Sequence, residues 1–392
     1  MIIRTFHPVG QGAFYSERHN DFNIVYDCGT AWNNRGKKAI DKTIKQSFSE
    51  DEEIDILFIS HFDYDHVSKI KVLKDHVKSI KKVVMPLLHE EDKILLSNIY
   101  RVLNFNIFTL INKPQEFFDS NTQIITVKST NNNQKPIESN SNNIDELSDK
   151  ESIESSTILK KTFTIDSEAY EWIFIPYNYE YKKRKDELEK LLKAKGFDVD
   201  KLKKDTNYTL DEITNDVGIS IKKGGKLFKQ IYEEVSGNIN QNSMLLYSGL
   251  NCKNTNCKSI FPPYLRLSVL YHFIHHKVTT ERQRVSCIYT GDTDLNIVKI
   301  KSIFKDYWSS VGTIQIPHHG ALKSFNKDTL EDKGYLCPMS VGEKNSYGHP
   351  SSKVLGDILG QACYPMVITE NLASTYVETI EYVPIIDKDE TT

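Results

Sequence analysis

One loop of this sequence, residues 60–66, holds two histidines and two aspartates. It follows residues 54–59, a mainly apolar run that is too short for an isolated helix and is typical of a buried strand. Neighbouring carboxylates repel one another and unpaired charges resist removal from water, so this cluster is costly to gather without a cation. The pattern therefore predicts a metal site at the end of a strand, with a solvated acidic loop as the alternative. The candidate ligands are His61, Asp63, Asp65 and His66.

Similar side chains recur in other parts of the chain. Each of them follows a short apolar run or lies in a turn that contains glycine. Because strand ends deliver polar groups to the edge of a sheet, we expect these residues to lie near the loop of residues 60–66. They are Asp27, Asp292, His318, His319 and His349.

Several short motifs stand in a fixed order along the chain. They are Asp27-x-Gly29, His61-x-Asp63-x-Asp65-His66, Gly291-Asp292, Pro317-His318-His319-Gly320 and Gly348-His349-Pro350. This order resembles the metallo-β-lactamase superfamily, and the last two motifs look most like the hydrolase domain of the DNA-internalisation competence proteins. The resemblance extends from residue 9 to about residue 352, with insertions. Asp63 stands where the superfamily usually has a second histidine, and the competence group is similar to this chain in that respect.

The resemblance implies an αββα sandwich, an α/β fold in which two related halves face each other. It also implies two divalent ions, Zn²⁺ or Mn²⁺, with Asp292 as the bridging carboxylate. His61 and Asp63 would bind one ion, and Asp65 and His66 would bind the other. Because a carboxylate is a harder ligand than an imidazole, Asp63 favours Mn²⁺ or weaker zinc binding at one of the two positions.

The two histidines of the pair are expected to have different roles. One of His318 and His319 completes the coordination of an ion, and its neighbour, pointing the opposite way in an extended chain, approaches the substrate or supports a ligand. We expect Asp65 and His319 to take part in catalysis. His349 is expected to bind metal or phosphate, with a surface turn histidine as the alternative. Asp27 is expected to orient the metal loop without binding the ions.

The metal ligands alone do not decide which bond is cut, because an activated water attacks phosphodiesters, amides and thioesters. The His-His-Gly and Gly-His-Pro resemblance favours a phosphodiester, and hence a nuclease that acts on DNA. Lys323, Asn345 and Tyr347 are expected to contact the substrate, although an exposed lysine is the plainer interpretation of Lys323. The alternatives are a phosphodiesterase for cyclic nucleotides or a phosphocholine ester, and a metal-binding component of a bacterial defence assembly with a protein partner.

The 392 residues, 39% of them hydrophobic, are enough for a layered core with insertions. We expect residues 1–180 and 237–392 to be the two halves of the fold, with a β-hairpin in residues 1–30. Residues from about 130 to 156 are rich in Asn, Ser, Asp and Glu, which predicts a disordered loop. Residues 181–236 predict a helical insert that packs as a lid or a small subdomain.

The formal net charge of −3 argues against broad electrostatic adhesion to nucleic acid. Lysines cluster in residues 181–204 and 222–229, where a phosphate-attracting face competes with the plainer interpretation of a solvated helix. No run in the sequence approaches the roughly 20 apolar residues of a membrane span, and the first residues lack a signal-peptide pattern. We therefore expect a soluble, cytoplasmic protein.

Six cysteines are scattered along the chain rather than arranged as a disulfide framework, so reduced thiols are expected. Cys252 and Cys257 have a spacing that zinc ligands can adopt, and His272, His275 and His276 follow them. These residues are candidates for a small structural zinc site. The alternative is a polar surface loop with free thiols.

Overall fold

The computed structural model shows two mixed β-sheets that pack face to face, with helices against both outer surfaces. This arrangement confirms the predicted αββα sandwich. The structure describes residues 1–31, 37–103, 107–133, 141–149, 152–165, 168–206, 208, 227, 230–231, 242–251, 264–266, 284–332 and 334–381.

The strands of the two sheets are numbered in chain order. They are β1 (Ile2–Phe6), β2 (Phe14–His19), β3 (Phe22–Cys28), β4 (Glu53–Phe58), β5 (Ser79–Pro86), β6 (Gln123–Val127), β7 (Ser141–Asn143), β8 (Ser152–Ile153), β9 (Ile158–Ile165), β10 (Glu168–Glu180), β11 (Asn242–Leu250), β12 (Tyr264–Arg266), β13 (Ser286–Tyr289), β14 (Val311–Ile314), β15 (Leu336–Ser340), β16 (Tyr364–Ile368) and β17 (Tyr376–Glu381).

The α-helices lie mainly in the first half of the chain. They are α1 (Lys37–Ser47), α2 (Tyr64–Val67), α3 (Ile70–Lys74), α4 (Glu90–Val102), α5 (Phe108–Asn112), α6 (Pro114–Phe117), α7 (Lys182–Ala194), α8 (Val199–Lys204), α9 (Ile300–Ile303) and α10 (Ser352–Gly360).

The strand order brings several loops to one edge of the sandwich. The first sheet has the order β12-β17-β1-β2-β3-β4-β5-β6-β8, and the second has the order β16-β15-β14-β13-β11-β10-β9-β7. Strands β3 to β6 run parallel in the first sheet, and β13 to β16 run parallel in the second. Parallel neighbours present their carboxyl ends at a common edge, so polar loops that follow β4, β13, β14 and β15 can meet there.

Alternating side chains of the central strands fill different cores. Ile24 and Tyr26 of β3 face the second sheet, whereas Val25 between them faces the outer helices. In β10, Trp172 faces the first sheet and Ile173 faces the opposite outer layer. All five side chains are buried, and burial of a large apolar side chain stabilises the fold by roughly 1.5–3 kcal/mol. The shared core therefore fixes the relative position of the two sheets and of their edges.

Two expectations about local structure are wrong. Residues 1–30 contain three strands rather than one hairpin, because Asn20 adopts a left-handed φ of 53° and makes a second tight turn between β2 and β3. Residues 141–149 and 152–153, expected in a disordered loop, form β7, a 3-10 turn and β8. Ile144 and Leu147 of that segment are fully buried between the sheets, and these apolar anchors outweigh its polar composition.

The described residues test the other sequence-based predictions only in part. In the predicted insert, α7 and α8 are described, and most of residues 207–241 lie outside the described ranges. None of the described helices is long and apolar enough to cross a membrane. Among the described residues, the buried cysteines that form no disulfide are Cys28, Cys287, Cys337 and Cys363. The candidate structural zinc residues lie outside the described ranges, and that site stays a prediction; they are Cys252, Cys257, His272, His275 and His276.

Candidate metal centre

The loop of residues 59–66 leaves β4 and packs directly on the backbone of the first sheet. The N–H of Ala13 donates to the carbonyl of Asp65 at 3.1 Å. A Cβ atom added to Gly29 would lie 2.3 Å from that carbonyl oxygen, and one added to Gly12 would lie 2.9 Å from it. Glycine at these two positions therefore allows the close approach that sets the depth of Asp65 in the site.

Asp27 holds the histidines of this loop through hydrogen bonds. Its Oδ1 accepts the N–H of Ser60 at 2.7 Å, and its Oδ2 accepts the Ser60 hydroxyl at 2.6 Å. The same Oδ2 lies 2.8 Å from Nδ1 of His66. Ser60 Oγ in turn lies 2.8 Å from Nδ1 of His61. Because both Nδ1 atoms are held in this way, the Nε2 atoms remain for the interior of the site.

The second sheet supplies Asp292 from a tight turn after β13. The side-chain oxygen of Gln315 accepts the N–H of Thr290 at 2.7 Å and that of Gly291 at 2.9 Å. Gly291 has a φ of 53°, and a Cβ atom there would lie only 2.9 Å from Cβ of Ser60. Glycine thus lets the turn from one sheet approach the loop from the other, and Asp292 enters the space between them.

The carboxylate of Asp292 lies among three imidazoles. Its Oδ2 is 3.7 Å from Nε2 of His61 and 3.4 Å from Nδ1 of His318. Its Oδ1 is 3.2 Å from Nε2 of His66. The side chain is buried. This central position suits the bridging part that the resemblance implies for Asp292.

Both rings of the histidine pair face the site, so the opposite directions expected for an extended chain are not observed. His318 lies against Asp292 as described, and Nε2 of His319 is 3.0 Å from Oδ2 of Asp65. The reason is the backbone: φ is 50° at His318 and 57° at His319, and Gly320 follows with 78°. Alternation of side chains requires an extended chain, whereas this left-handed turn brings both rings inward. Left-handed backbone at residues other than glycine costs about 1–3 kcal/mol and is typical of functional sites.

Two overlapping groups of ligand atoms lie close enough together to hold a metal ion. In each group the atoms are within 4.8 Å of one another. His66 belongs to both groups, so the distances do not separate His61 with Asp63 from Asp65 with His66, as the resemblance implied. The groups are His61, His66 and Asp292, and Asp65, His66 and His319.

Asp63 lies at the side of the first group. Its Oδ2 is 3.6 Å from Nε2 of His61. Its Oδ1 accepts a hydrogen bond of 3.0 Å from the hydroxyl of Tyr100, which reaches the loop from α4. The contact fixes the orientation of the carboxylate, since Tyr100 is itself fully buried.

The unsatisfied atoms of the cluster fit a cation. Nε2 of His61, Nε2 of His66 and Nδ1 of His318 are buried and make no hydrogen bond in the part of the chain that the structure describes. A buried polar atom without a partner costs about 1–3 kcal/mol. Imidazole nitrogens and carboxylate oxygens are ligands of Zn²⁺ and Mn²⁺. A divalent ion held by the first group would therefore satisfy two of these atoms at once, Nε2 of His61 and Nε2 of His66.

For the central groups of the cluster, charge interactions shift the pKa more than burial does. Burial disfavours the ionised carboxylate of Asp292, but His318 and His66 hold its pKa well below the usual value. Burial likewise opposes the charged form of His66, yet Asp292 and Asp27 raise the pKa of that imidazole well above its usual value. For His318 burial prevails, and its pKa is lowered. The negative potential that raises the pKa of His66 also attracts a divalent cation.

His349 lies beside the histidine pair, and its loop is organised by Asn345. The ring centroid of His349 is 5.8 Å from that of His318. Burial lowers the pKa of His349 to about 4, so the ring is neutral at ordinary pH. The amide of Asn345 donates to the carbonyls of Gly342 and His349, both at 2.7 Å, and accepts the N–H of His349 at 3.0 Å. Both amide hydrogens are used in the loop, so Asn345 positions His349, and its expected contact with a substrate stays a prediction.

The other two expected substrate contacts lie on the surface near these histidines. The ring of Tyr347 is 48% exposed and stacks beside His349 with centroids 6.0 Å apart. Lys323 is exposed and follows the histidine turn by a few residues. Their parts in substrate binding stay predictions.

Three residues that organise the site were not singled out in the sequence. Ser60 had a usable signal, because it directly precedes His61 and serine can support an imidazole. Gln315 also had one, since a polar residue just before the Pro317 motif interrupts an apolar strand. Tyr100 had no local signal, because it lies on a helix distant in sequence from Asp63.

Two sheets between helical layers, with histidines and aspartates gathered at the carboxyl ends of parallel strands, define a metallo-β-lactamase fold. Residues 9–103 match the family model described as the metallo-beta-lactamase superfamily. The matched segment contains the loop of residues 59–66, whereas Asp292 and the histidine pair lie beyond it. No curated protein matches the chain.

Several solved structures resemble parts of the chain. YhfI of Bacillus subtilis, a metallo-beta-lactamase fold protein, is 14% identical over 21% of this chain and 37% of its own, with a TM-score of 0.14. The short form of human tRNase Z is 12% identical over 46% of this chain and 61% of its own, with a TM-score of 0.23. The FEZ-1 metallo-beta-lactamase of Legionella gormanii is 13% identical over 59% of this chain and 96% of its own, with a TM-score of 0.20. The chain thus spans less than two thirds of the first two proteins.

Proposed function

We propose that this chain is a metal-dependent hydrolase that cleaves phosphodiester bonds, most simply those of DNA. One observation carries the proposal: the buried carboxylate of Asp292 lies within 3.7 Å of three imidazole nitrogens, contributed by both halves of the fold. The choice of a phosphodiester is supported by the resemblance of residues 317–320 and 348–350 to the hydrolase domain of the competence proteins. The expected ions are Zn²⁺ or Mn²⁺.

The ligand groups already described would hold the ions. A divalent ion in such a site supplies a water of lowered pKa and neutralises charge on a phosphoryl oxygen. The ligands come from loops that are fixed by Asp27, Gln315 and Tyr100, so their positions are set before a substrate arrives. Such preorganisation is what makes electrostatic stabilisation of a transition state effective.

His319 and Asp65 can hold a proton beside this centre. Nδ1 of His319 lies 2.8 Å from the carbonyl oxygen of Ser340, so this nitrogen carries a hydrogen and donates it. Nε2 then faces Asp65 at 3.0 Å. Burial would lower the pKa of His319, but the Asp65 carboxylate raises it above its usual value. With an ion held by His61, His66 and Asp292 alone, a proton on Nε2 would be available to a leaving alkoxide, as in general acid catalysis; with an ion held by Asp65, His66 and His319, Nε2 would bind that ion instead.

The test uses purified protein that has been freed of metal and reloaded with Mn²⁺ or Zn²⁺. We expect it to cleave plasmid DNA and a labelled oligonucleotide. Asp65→Ala combined with His66→Ala should abolish cleavage, and Asp292→Asn should reduce it by at least about a hundredfold, since even partners of metal ligands contribute 10–100-fold. Asp357→Asn is the matched control, because that carboxylate pairs with Lys353 on the surface of α10.

Two results would contradict the proposal. Equal cleavage by the wild type and by the Asp65→Ala, His66→Ala protein would assign the nuclease activity to a contaminant. Hydrolysis of a β-lactam or a thioester, together with no reaction on DNA or on bis(4-nitrophenyl) phosphate, would retain a metal-dependent hydrolase but move it to another class of substrate.

A further inference from the structure

Arg184, in the first turn of α7, is a buried cation that pairs with no carboxylate among the described residues. It is 7% exposed, and Nη1 has no hydrogen-bond partner in the part of the chain that the structure describes. The guanidinium carbon lies 3.8 Å from the centroid of the Tyr181 ring, which holds the group by a cation–π contact. A buried guanidinium without a carboxylate partner is costly, and an anionic group of a bound ligand would offset that cost.

Unlike Arg184, two lysines of this helical segment each pair with a carboxylate. Lys185 pairs with Asp92 at 2.8 Å. Lys203 pairs with Glu91 at 2.8 Å and with Glu189 at 3.1 Å. Carboxylates are therefore present on and around α7, and Asp92, Glu91 and Glu189 pair with these lysines rather than with Arg184.

Tyr181 ties Arg184 to the metal centre. The hydroxyl of Tyr181 accepts the N–H of Asp294 at 2.9 Å, and Asp294 follows Asp292 by two positions. Tyr181 is 4% exposed, so this contact lies inside the protein. The guanidinium is consequently fixed next to the loop that carries the central carboxylate of the site.

A second cation, Lys323, lies beside the same loop, since the side-chain amide of Asn296 donates to the carbonyl of Lys323 at 2.9 Å and to Oδ1 of Asp294 at 3.0 Å. Burial lowers the pKa of the Lys323 ammonium, and the charge of Arg184 lowers it further. The carboxylates of Asp292, Glu187 and Asp294 act in the opposite direction, but none of them forms an ion pair with Lys323 among the described residues. Two like charges near one another repel, and an anion bound by both would offset that repulsion.

We propose that Arg184 and Lys323 form a subsite for a backbone phosphate next to the scissile one in a polynucleotide substrate. This proposal rests on the proposed function, because that function puts the neighbouring scissile phosphate at the metal centre. A guanidinium offers parallel N–H donors that match a phosphate, and the lysine adds a mobile point charge. This assigns part of the basic helical segment to substrate binding, and it explains why a chain of net charge −3 can still recognise nucleic acid at one place.

Binding is measured without catalysis, so that the subsite is tested apart from the reaction. A fluorescein-labelled oligothymidylate is titrated with the full chain in EDTA, and the fluorescence anisotropy is followed at several salt concentrations. Arg184→Gln should weaken binding about tenfold and reduce the slope of log affinity against log salt by about one. Lys323→Gln should act similarly, and Arg184→Lys should recover part of the loss. Lys193→Gln, an exposed charge removed from the last turn of the same helix, should bind as the wild type does.

The outcomes separate the subsite from the proposed function. If Arg184→Gln and Lys323→Gln bind no more weakly than Lys193→Gln, the subsite is refuted even when the wild type cleaves DNA. If they bind about tenfold more weakly but the Mn²⁺-loaded wild type hydrolyses no phosphodiester, the subsite stands and the proposed reaction falls. Far-ultraviolet circular dichroism checks the fold of each variant; should Arg184→Gln unfold, the surface variant Lys323→Gln decides alone.

Discussion

Two buried polar clusters in this sandwich compensate charge in different ways. In the first, which we call the Arg4 cluster, Nε of Arg4 donates to Glu17 at 2.7 Å and Nη1 donates to Glu378 at 2.6 Å. All three side chains are fully buried. Hydroxyl groups of Ser248 and Tyr289 also donate to Glu17, at 2.7 and 2.8 Å. Both carboxylates therefore have a fixed cation belonging to the chain itself.

The metal centre has carboxylates but, among the described residues, no lysine or arginine paired with them. Asp292 faces imidazole nitrogens at 3.2–3.7 Å, and several of these nitrogens make no hydrogen bond within the described ranges. We call the Arg4 cluster closed because its carboxylates have a fixed cation, although the Nη2 donor of Arg4 makes no hydrogen bond among the described residues. We call the metal centre open because its unsatisfied atoms are nitrogens that could bind an exchangeable ion. Burial and charge alone therefore do not distinguish the functional site in this molecule. Unsatisfied ligand atoms that converge on one point distinguish it.

The largest expected effect concerns the closed cluster. Arg4→Met should lower the free energy of unfolding by about 3–5 kcal/mol, because it leaves two buried carboxylates without their cation. Denaturant unfolding monitored by circular dichroism measures this change. Lys71→Met is the matched control, since Lys71 forms an exposed pair with Asp75 and its loss should cost less than about 1 kcal/mol. An equal effect of the two substitutions would show that the Arg4 cluster contributes no more than a surface ion pair.

The next effect concerns the open cluster. Mn²⁺ at a hundred times its dissociation constant should raise the free energy of unfolding by about 2.7 kcal/mol, because the ion binds the folded chain. Asp292→Ala should abolish this increase. Arg4→Met should keep it, provided that the variant folds, because the closed cluster needs no added ion. Thermal or urea unfolding with Mn²⁺ and with EDTA gives the comparison, and an increase that survives Asp292→Ala would place the ion elsewhere.

The third prediction concerns His7, a buried histidine with a hydroxyl group near each ring nitrogen. The ring nitrogens of His7 lie 2.8 Å from Ser16 Oγ and 3.2 Å from Ser47 Oγ. Burial, with a smaller contribution from Arg18, lowers the pKa of His7 from 6.5 to about 3. The unfolded chain therefore takes up a proton below pH 6.5 that the folded chain refuses, so stability is retained above that pH and lost as the pH falls.

Between pH 7 and pH 5 this group should remove about 2 kcal/mol of stability. His7→Gln should show a decrease that is smaller by that amount when urea unfolding is measured in EDTA at both values. Parallel pH dependences of the two proteins would mean that His7 is protonated in the folded state.

The sequence predicted the αββα sandwich through its resemblance to a superfamily. It predicted the residues that gather at the edge of the sandwich because short motifs with those residues follow the strands. It did not predict the inward turn of His318 and His319, since a left-handed backbone at two consecutive residues other than glycine opposes local preference and is held by tertiary contacts. It also missed Arg184, whose burial depends on packing between α7 and the loop after Asp292. Composition failed for Ile144 and Leu147, because two apolar side chains are enough to anchor an otherwise polar segment.

The smallest expected effect concerns the support of one carboxylate in the open cluster. Tyr100→Phe removes the hydroxyl that donates to Oδ1 of Asp63 at 3.0 Å and leaves the buried ring in place. Asp63 then loses a fixed orientation, and the affinity for Mn²⁺ should fall about tenfold, or about 1.4 kcal/mol. Isothermal titration calorimetry on the metal-free protein measures it.

Tyr247→Phe is the matched control for this last change, because it removes a buried hydroxyl that contacts Ser286 and Ser310 in the other outer layer. Each substitution should cost about 1 kcal/mol of stability, so stability alone cannot separate them. Only Tyr100→Phe should change metal affinity. Equal affinities in the two variants would mean that the Tyr100 hydroxyl does not support metal binding through Asp63.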